Sequence, residues 1–179
     1  GMNPSRIALL NKLMEMGGDI KVFNHSSFGK EPIADINIKS SVLNPCKVTS
    51  DDVPNLIDEL PILFIASCFA EGTSTFKDIE ELKHKESDRL KAMQVGLDKM
   101  KIKNFLDDNI FCIEGMGKDY KLPNFLAETY FDHRIAMSFA IAGLNSISSI
   151  EIASPESINT SFPEFIELGK KLGCNFEIS

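Results

Sequence analysis

The chain has 179 residues, 43% apolar and 25% charged, a globular composition with enough apolar material for a core of ordinary domain size. Its 26 acidic and 19 basic residues leave a formal net charge of −7, which argues against a nucleic-acid or membrane-surface partner held by bulk charge, so any anionic ligand must be met locally. No apolar run reaches membrane-spanning length and the start carries no basic-then-apolar leader, so neither a transmembrane helix nor a signal peptide is expected.

Asn3 and Pro4 read as the cap and first position of a helix with Ile7, Leu10, Leu13 and Met14 as its apolar stripe and Gly17 as its stop. Arg6, in the first turn, fits a solvated arginine and a site residue equally well. Strands are expected at 20–23 and, past a polar loop containing glycine, at 34–39, where Ile36 and Ile38 alternate with polar residues; a short third falls at 47–49. Asp58-Glu59-Leu60-Pro61 starts a helix reaching Ala70, with proline tolerated in the first turn. Asp58 fits an N-cap and a site residue alike. Ile62 to Phe69 is nearly all apolar, so that helix is buried and a strand at 73–79 follows it.

Lys83-His84-Lys85-Glu86-Ser87-Asp88-Arg89-Leu90 opens an amphipathic helix running to about Met100, with Leu90, Met93, Leu97 and Met100 on its core face. Helical spacing puts Lys85, Glu86 and Arg89 on one side of its first turn. A helix N-terminus is already positive, so two cations there break the local rule and describe an anion pocket. The bland alternative is a solvated charged face. A hairpin is expected from 104–106 and 110–113 around a turn at 107–109, then a mixed loop over 115–128. Asp132-His133-Arg134 opens a second nearly all-apolar helix reaching Gly143, with Asp132 as N-cap and His133 and Arg134 again positive at the wrong end. His133 fits a phosphate-site donor and a packing residue equally. A strand at 149–152 follows, and Ser161-Phe162-Pro163-Glu164 reads as a capping box. The helix it starts has Phe165, Leu168 and Leu172 inward and stops at Gly173, before a closing strand at 175–179.

Cys46, Cys68, Cys112 and Cys174 are scattered without a C-x-x-C pair, the pattern of reduced thiols in a cytosolic, cytoplasmic protein. His25, His84 and His133 lack ligand spacing, so neither a metal site nor a cofactor is expected. Three helix ends, at 14–20, 97–102 and 169–174, each run into a strand, and between them lie two apolar helices, each followed by a strand. The pattern is α+β: a βαβαββ unit used about twice and truncated at both ends, with buried helices inside and sheets outside. Helix N-termini of repeated units end on a common side, which gathers Asp58, Lys85, Glu86, Arg89, His133 and Arg134 at one surface.

Lys85-Glu86-Ser87-Asp88-Arg89 and Asp132-His133-Arg134-Ile135-Ala136-Met137, together with 1–6 (GMNPSR), 56–61 (LIDELP) and 159–165 (NTSFPEF), resemble the signatures of 5-enolpyruvylshikimate-3-phosphate (EPSP) synthases. The likeness covers nearly the whole chain and is to the class II branch, which includes glyphosate-tolerant members. It implies that residues 1–179 are a single C-terminal domain, about two of three repeat units, whose facing N-terminal domain is absent. It further implies transfer of the enolpyruvyl group of phosphoenolpyruvate to the 5-hydroxyl of shikimate 3-phosphate. On that resemblance Asp58, Lys85 and Glu86 are catalytic, Lys85, Arg89, His133 and Arg134 bind phosphoenolpyruvate, and Asp58 and Lys85 bind shikimate 3-phosphate. The class I pattern has a lysine just before its Ser/Thr-Phe-Pro motif; this chain has Asn159-Thr160, so no phosphoenolpyruvate-binding lysine is carried over there. The 179 residues alone are expected to be inactive, because catalysis needs both walls of the cleft. Two other readings remain: a related transferase acting on a UDP-amino sugar, and a non-catalytic anion-binding module of the same fold.

Overall fold

The computed structural model describes residues 1–177. Helix α1 (Ala8–Glu15) leads into a long antiparallel hairpin, β1 (Asp19–Phe28) and β2 (Glu31–Lys39). Asn3 and Pro4 do not open α1. The Asn3 carboxamide oxygen instead accepts from the Ser5 backbone N–H at 3.1 Å and its hydroxyl at 2.9 Å, closing a separate turn. The hairpin extends well beyond both expected strands because most of its residues are exposed, so the apolar alternation that marks a half-buried strand is missing from 24–33.

A complete βαβαββ unit follows: β3 (Lys47–Val48), a one-turn α2 (Val53–Leu56) with α3 (Leu60–Cys68), β4 (Glu71–Lys77), a 3-10 turn at Glu80–His84, α4 (Arg89–Lys99), β5 (Asn104–Asp107) and β6 (Ile110–Met116). Its sheet has the order β3-β4-β6-β5, with β3 and β4 parallel and the other pairs antiparallel. The next unit begins with β7 (Leu126–Ala127), α5 (His133–Gly143) and β8 (Glu151–Ile152), with β7 and β8 again parallel, then a 3-10 turn at Pro155–Thr160 and α6 (Phe165–Lys171). The described chain is thus the αββ tail of one unit, one whole unit and the βαβα start of another.

The three helix stops are the same backbone device. Gly17, Lys101 and Gly173 have φ of 91°, 61° and 88°, and the next residue's N–H returns to the carbonyl five back: Gly18 to Leu13, Ile102 to Leu97 and Cys174 to Gly169, all at 2.9 Å. Lys101 is the one non-glycine among them and is exposed. Lys101→Gly is therefore expected to stabilise the chain by about 0.5–1 kcal/mol, read as a melting temperature higher by roughly 2–3 °C.

Two corrections fall at the C-terminal end. Ser161 does not cap α6, whose N-cap Glu164 also makes no side-chain cap bond, because residues 155–160 have already wound into the 3-10 turn. Leu168 and Leu172 do not point inward; Leu172 is exposed because no described element covers that face of α6. No strand forms at 175–177, and the last two residues of the expected strand at 175–179 lie outside the described residues.

The core forms around α3 and α5, which pack on one another and on the inner faces of the sheets. Phe64 of α3 meets Phe76 of β4 and Phe111 of β6 edge-on, at centroid distances of 4.6 and 5.1 Å. Helix α4 approaches α5 through Gly96, where an added Cβ would lie 1.9 Å from Cζ of the buried Phe139. Helix propensity favours alanine over glycine by about 1 kcal/mol, but overpacking costs about 1–3 kcal/mol and here meets an enclosed ring. Gly96→Ala is expected to lower stability in urea denaturation, with part of the loss recovered by adding Phe139→Leu. Between α1, α3 and α5 an open apolar groove of about 340 Å³ remains, lined by Leu9, Leu13, Ile62, Ala66, Phe69 and Ile141.

Candidate active site

The N-terminal ends of α3, α4 and α5 meet at one charged cluster. Asp58 lies just ahead of α3 and is not its cap: that position is Glu59, with no side-chain cap bond. The Asp58 carboxylate is thereby left to other partners. It accepts from Arg89 Nη1 at 3.1 Å and lies 3.8 Å from Arg134 Nη2, while Arg134 Nη1 donates to the Asp58 backbone carbonyl at 2.8 Å and sits 3.6 Å from Glu59. Burial pushes the Asp58 carboxyl up, but the charge of Arg134, the hydrogen bond from Arg89 and the charges of Lys85 and Arg89 outweigh it and hold it below the ordinary 3.8.

Helix α4 does not open at Lys83. Residues 80–84 form the 3-10 turn, Lys85 is extended, and Asp88 caps α4 by accepting from the Lys91 N–H at 3.0 Å. Asp88 wins because its short carboxylate reaches a backbone donor that the longer charged side chains upstream do not. Lys85 and Glu86 are accordingly in a bend outside the helix. Lys85 pairs with Glu81 at 2.7 Å, while Glu86 still reaches Arg89 Nη2.

Arg89 is the hub. It was expected as an open anion clamp, yet it is completely buried and each nitrogen of its fork meets a different carboxylate: Nε on Asp132 Oδ2 at 2.8 Å, Nη1 on Asp58, Nη2 on Glu86. Asp132 is fully buried too. Its Oδ1 caps α5, accepting from the N–H groups of Arg134 at 2.9 Å and Ile135 at 3.4 Å, and its Oδ2 also accepts from Ser87 Oγ at 3.1 Å. The cap was legible in the sequence; the bond to Arg89 was not, since 43 residues separate the pair. Just ahead of Asp132, Tyr130 and Phe131 both adopt left-handed backbone, φ 52° and 59°, with exposed rings. His133 is half-buried and its side chain makes no hydrogen bond among the described residues, and the exposed Arg6 takes no part in the cluster.

The expected residues Asp58, Glu86, Arg89 and Arg134 therefore come together through direct bonds, with the charge of Lys85 felt at Asp58 and His133 at the adjoining helix start. Arg134 is partly exposed and can meet an anion directly, whereas Arg89, fully enclosed, can do so only where a carboxylate it holds gives way.

Short parallel strand pairs crossing over buried helices, with the helix starts turned to one charged surface, define an enolpyruvyl-transferase fold. The enolpyruvyl transferase NikO of Streptomyces tendae superposes with a TM-score of 0.66 at 18% identity, over 94% of this chain and 35% of that one. The chain belongs to the EPSP synthase (3-phosphoshikimate 1-carboxyvinyltransferase) family, whose model matches residues 1–168. An EPSP synthase structure from Acinetobacter baumannii matches with a TM-score of 0.94 and 42% identity, covering 100% of this chain and 41% of that chain. The 3-phosphoshikimate 1-carboxyvinyltransferases of Petrotoga mobilis and Zymomonas mobilis are 42% and 43% identical, over 96% and 99% of this chain. The chain spans only 39% and 40% of those two relatives.

Proposed function

We propose that the chain is the C-terminal domain of a longer, cytoplasmic enzyme that transfers the enolpyruvyl group of phosphoenolpyruvate to the 5-hydroxyl of shikimate 3-phosphate. The observation that carries this is the Asp58–Arg89–Glu86–Asp132–Arg134 cluster at the shared helix starts of a family member that spans two-fifths of its relatives. In the reaction the 5-hydroxyl gives up its proton as its oxygen bonds to C2 of phosphoenolpyruvate and the methylene carbon takes a proton; the new methyl then loses one as the C–O bond to phosphate breaks, and inorganic phosphate leaves, so the hydroxyl proton is balanced by the one carried off with the phosphate. Arg134, Arg89 and Lys85 neutralise the phosphate and carboxylate of phosphoenolpyruvate, with His133 beside the phosphate. Asp58 and Lys85 hold the shikimate 5-hydroxyl, Asp58 as its acceptor, and Glu86 with Lys85 carries the proton at the methylene carbon.

The facing domain and the rest of the first repeat unit belong to the preceding part of the enzyme. Two features support this: the apolar α1–α3–α5 groove, which no described element covers, and β2, which among the described residues pairs with β1 alone, whereas its counterpart β6 pairs on both sides. The net charge of −7 supports neither nucleic acid nor a membrane surface as partner, and among the described residues no helix is long and apolar enough to cross a membrane. The test is phosphate release from phosphoenolpyruvate by the full-length chain. Release that requires shikimate 3-phosphate is expected, falling at least roughly tenfold in kcat/KM in Arg134→Ala through a raised KM for phosphoenolpyruvate. Release without shikimate 3-phosphate, or none in a folded enzyme that binds it, would sink the proposal.

A further inference from the structure

We propose that Asp132 is a positioning residue that keeps Arg89 in place while a substrate carboxylate replaces Glu86 on the arginine's outer edge; this rests on the enolpyruvyl-transfer reading above. Three carboxylates share Arg89, but they differ in how free they are to leave. The Asp132 side chain is 0% exposed, Asp58 36% and Glu86 54%. Asp132 is also fixed twice over, since the oxygen not facing Arg89 caps α5 and Ser87 Oγ holds the oxygen that does.

Glu86 sits at the other extreme. It belongs to the bend between Lys85 and Asp88, outside α4, so it can swing out without breaking a helical hydrogen bond. With Nε held by Asp132, the guanidinium plane stays fixed and its Nη edge remains aimed at the site when Glu86 departs. A planar fork held at one nitrogen presents the others to a carboxylate in a defined direction, which a lysine or an unanchored arginine does not. The exchange has a chemical consequence. Glu86 is released from its counter-ion only when a carboxylate has arrived, so the group assigned to proton traffic becomes available at the moment substrate is present. No bond is made or broken covalently in this step; one carboxylate replaces another.

The test uses the full-length enzyme with Asp132→Ser, which retains a capping hydroxyl but is too short for Arg89, and Asp132→Asn, which retains the capping oxygen but turns an amide toward Nε or loses the cap. Both are expected to raise KM for phosphoenolpyruvate roughly 10- to 100-fold, the span for losing one hydrogen bond to a charged group, with KM for shikimate 3-phosphate within about twofold. In an Arg89→Lys background, adding Asp132→Asn is expected to raise KM for phosphoenolpyruvate no further. Equal rises in both KM values, or a full additional effect in that background, would mean Asp132 acts only on the fold. Where a variant does not fold, the wild type decides: the Arg89 Nε–H signal in nitrogen-15 NMR should exchange slowly with water and stay in place on adding phosphoenolpyruvate, while the Glu86 carboxyl carbon moves. An Nε–H signal that shifts with the ligand, or a Glu86 carbon that does not, overturns the proposal. Absence of shikimate-dependent phosphate release would instead sink the functional reading, and a slowly exchanging Nε–H would still establish the clamp.

Discussion

Arg89→Ala is expected to cost about 3–5 kcal/mol, the figure for removing one partner of a buried ion pair, and to lower the melting temperature by roughly 10 °C or more. The reason is what stays behind. Asp132 is fully enclosed, and without Arg89 it keeps only the α5 cap and the Ser87 hydroxyl against a full negative charge. Asp58 and Glu86 contribute less to the loss because both reach solvent. Arg89→Lys is expected to recover only part of it, since one ammonium cannot span carboxylates from three separate segments. The loss should also shrink in acid, with a sign that follows from linkage. Asp58 is held below 3.8 in the folded chain, so its contribution is present above the ordinary carboxylate value and disappears as pH falls through the lower folded one. Taking away Arg89 removes one of the groups that depress it, so the variant loses the Asp58 contribution at a higher pH than the wild type. Urea denaturation at neutral pH and again below pH 3.8 measures both effects; a loss under about 1 kcal/mol at neutral pH would show that solvent reaches Asp132.

What the sequence made legible follows from how one-sided each element is. Helices α3 and α5 are enclosed on nearly every face, so they must be apolar nearly all round, and Ile62–Phe69 and Ile135–Gly143 could hardly be read otherwise. The repeat was legible because Gly17 and Gly173 mark left-handed stops that few other residues adopt, and Lys101 could be aligned to them. The β1–β2 hairpin was half hidden because exposure on both faces erases alternation. The start of α4 was misplaced because the charged run 83–88 carries no apolar residue to mark where the helical periodicity begins, so Asp88 reads as part of the first turn and not as its cap. At the site, charge and helix direction brought Asp58, Glu86, Arg89 and Arg134 to one surface, but not the pairing within it. Four acids and three cations in one place can be joined in many ways. Only the fold, by burying Asp132 beside Arg89, selects the arrangement in which each nitrogen of the arginine meets a carboxylate.

In the full-length enzyme, Glu86→Gln is expected to lower kcat by about 10²–10⁴-fold, the range for losing a positioned acid–base group, with KM for phosphoenolpyruvate unchanged or lower. Glutamine can still accept from Arg89 Nη2 but no longer carries a charge that competes with the substrate carboxylate, so binding should not suffer while proton delivery to the methylene carbon does. Hydrogen exchange between water and the methyl group formed on phosphoenolpyruvate should fall in parallel with kcat. Asp58→Asn behaves differently for an electrostatic reason. A carboxyl held below 3.8 is ionised throughout the neutral range and is a weak base, so it serves best as a fixed acceptor that turns the 5-hydroxyl toward C2. Its loss is expected to lower kcat while the acid limb of the pH–rate profile keeps its place, because that limb belongs to another group. Should Glu86→Gln raise KM with kcat intact, Glu86 would be a binding residue, and the proton at the methylene carbon would have to come from Lys85 or from the facing domain.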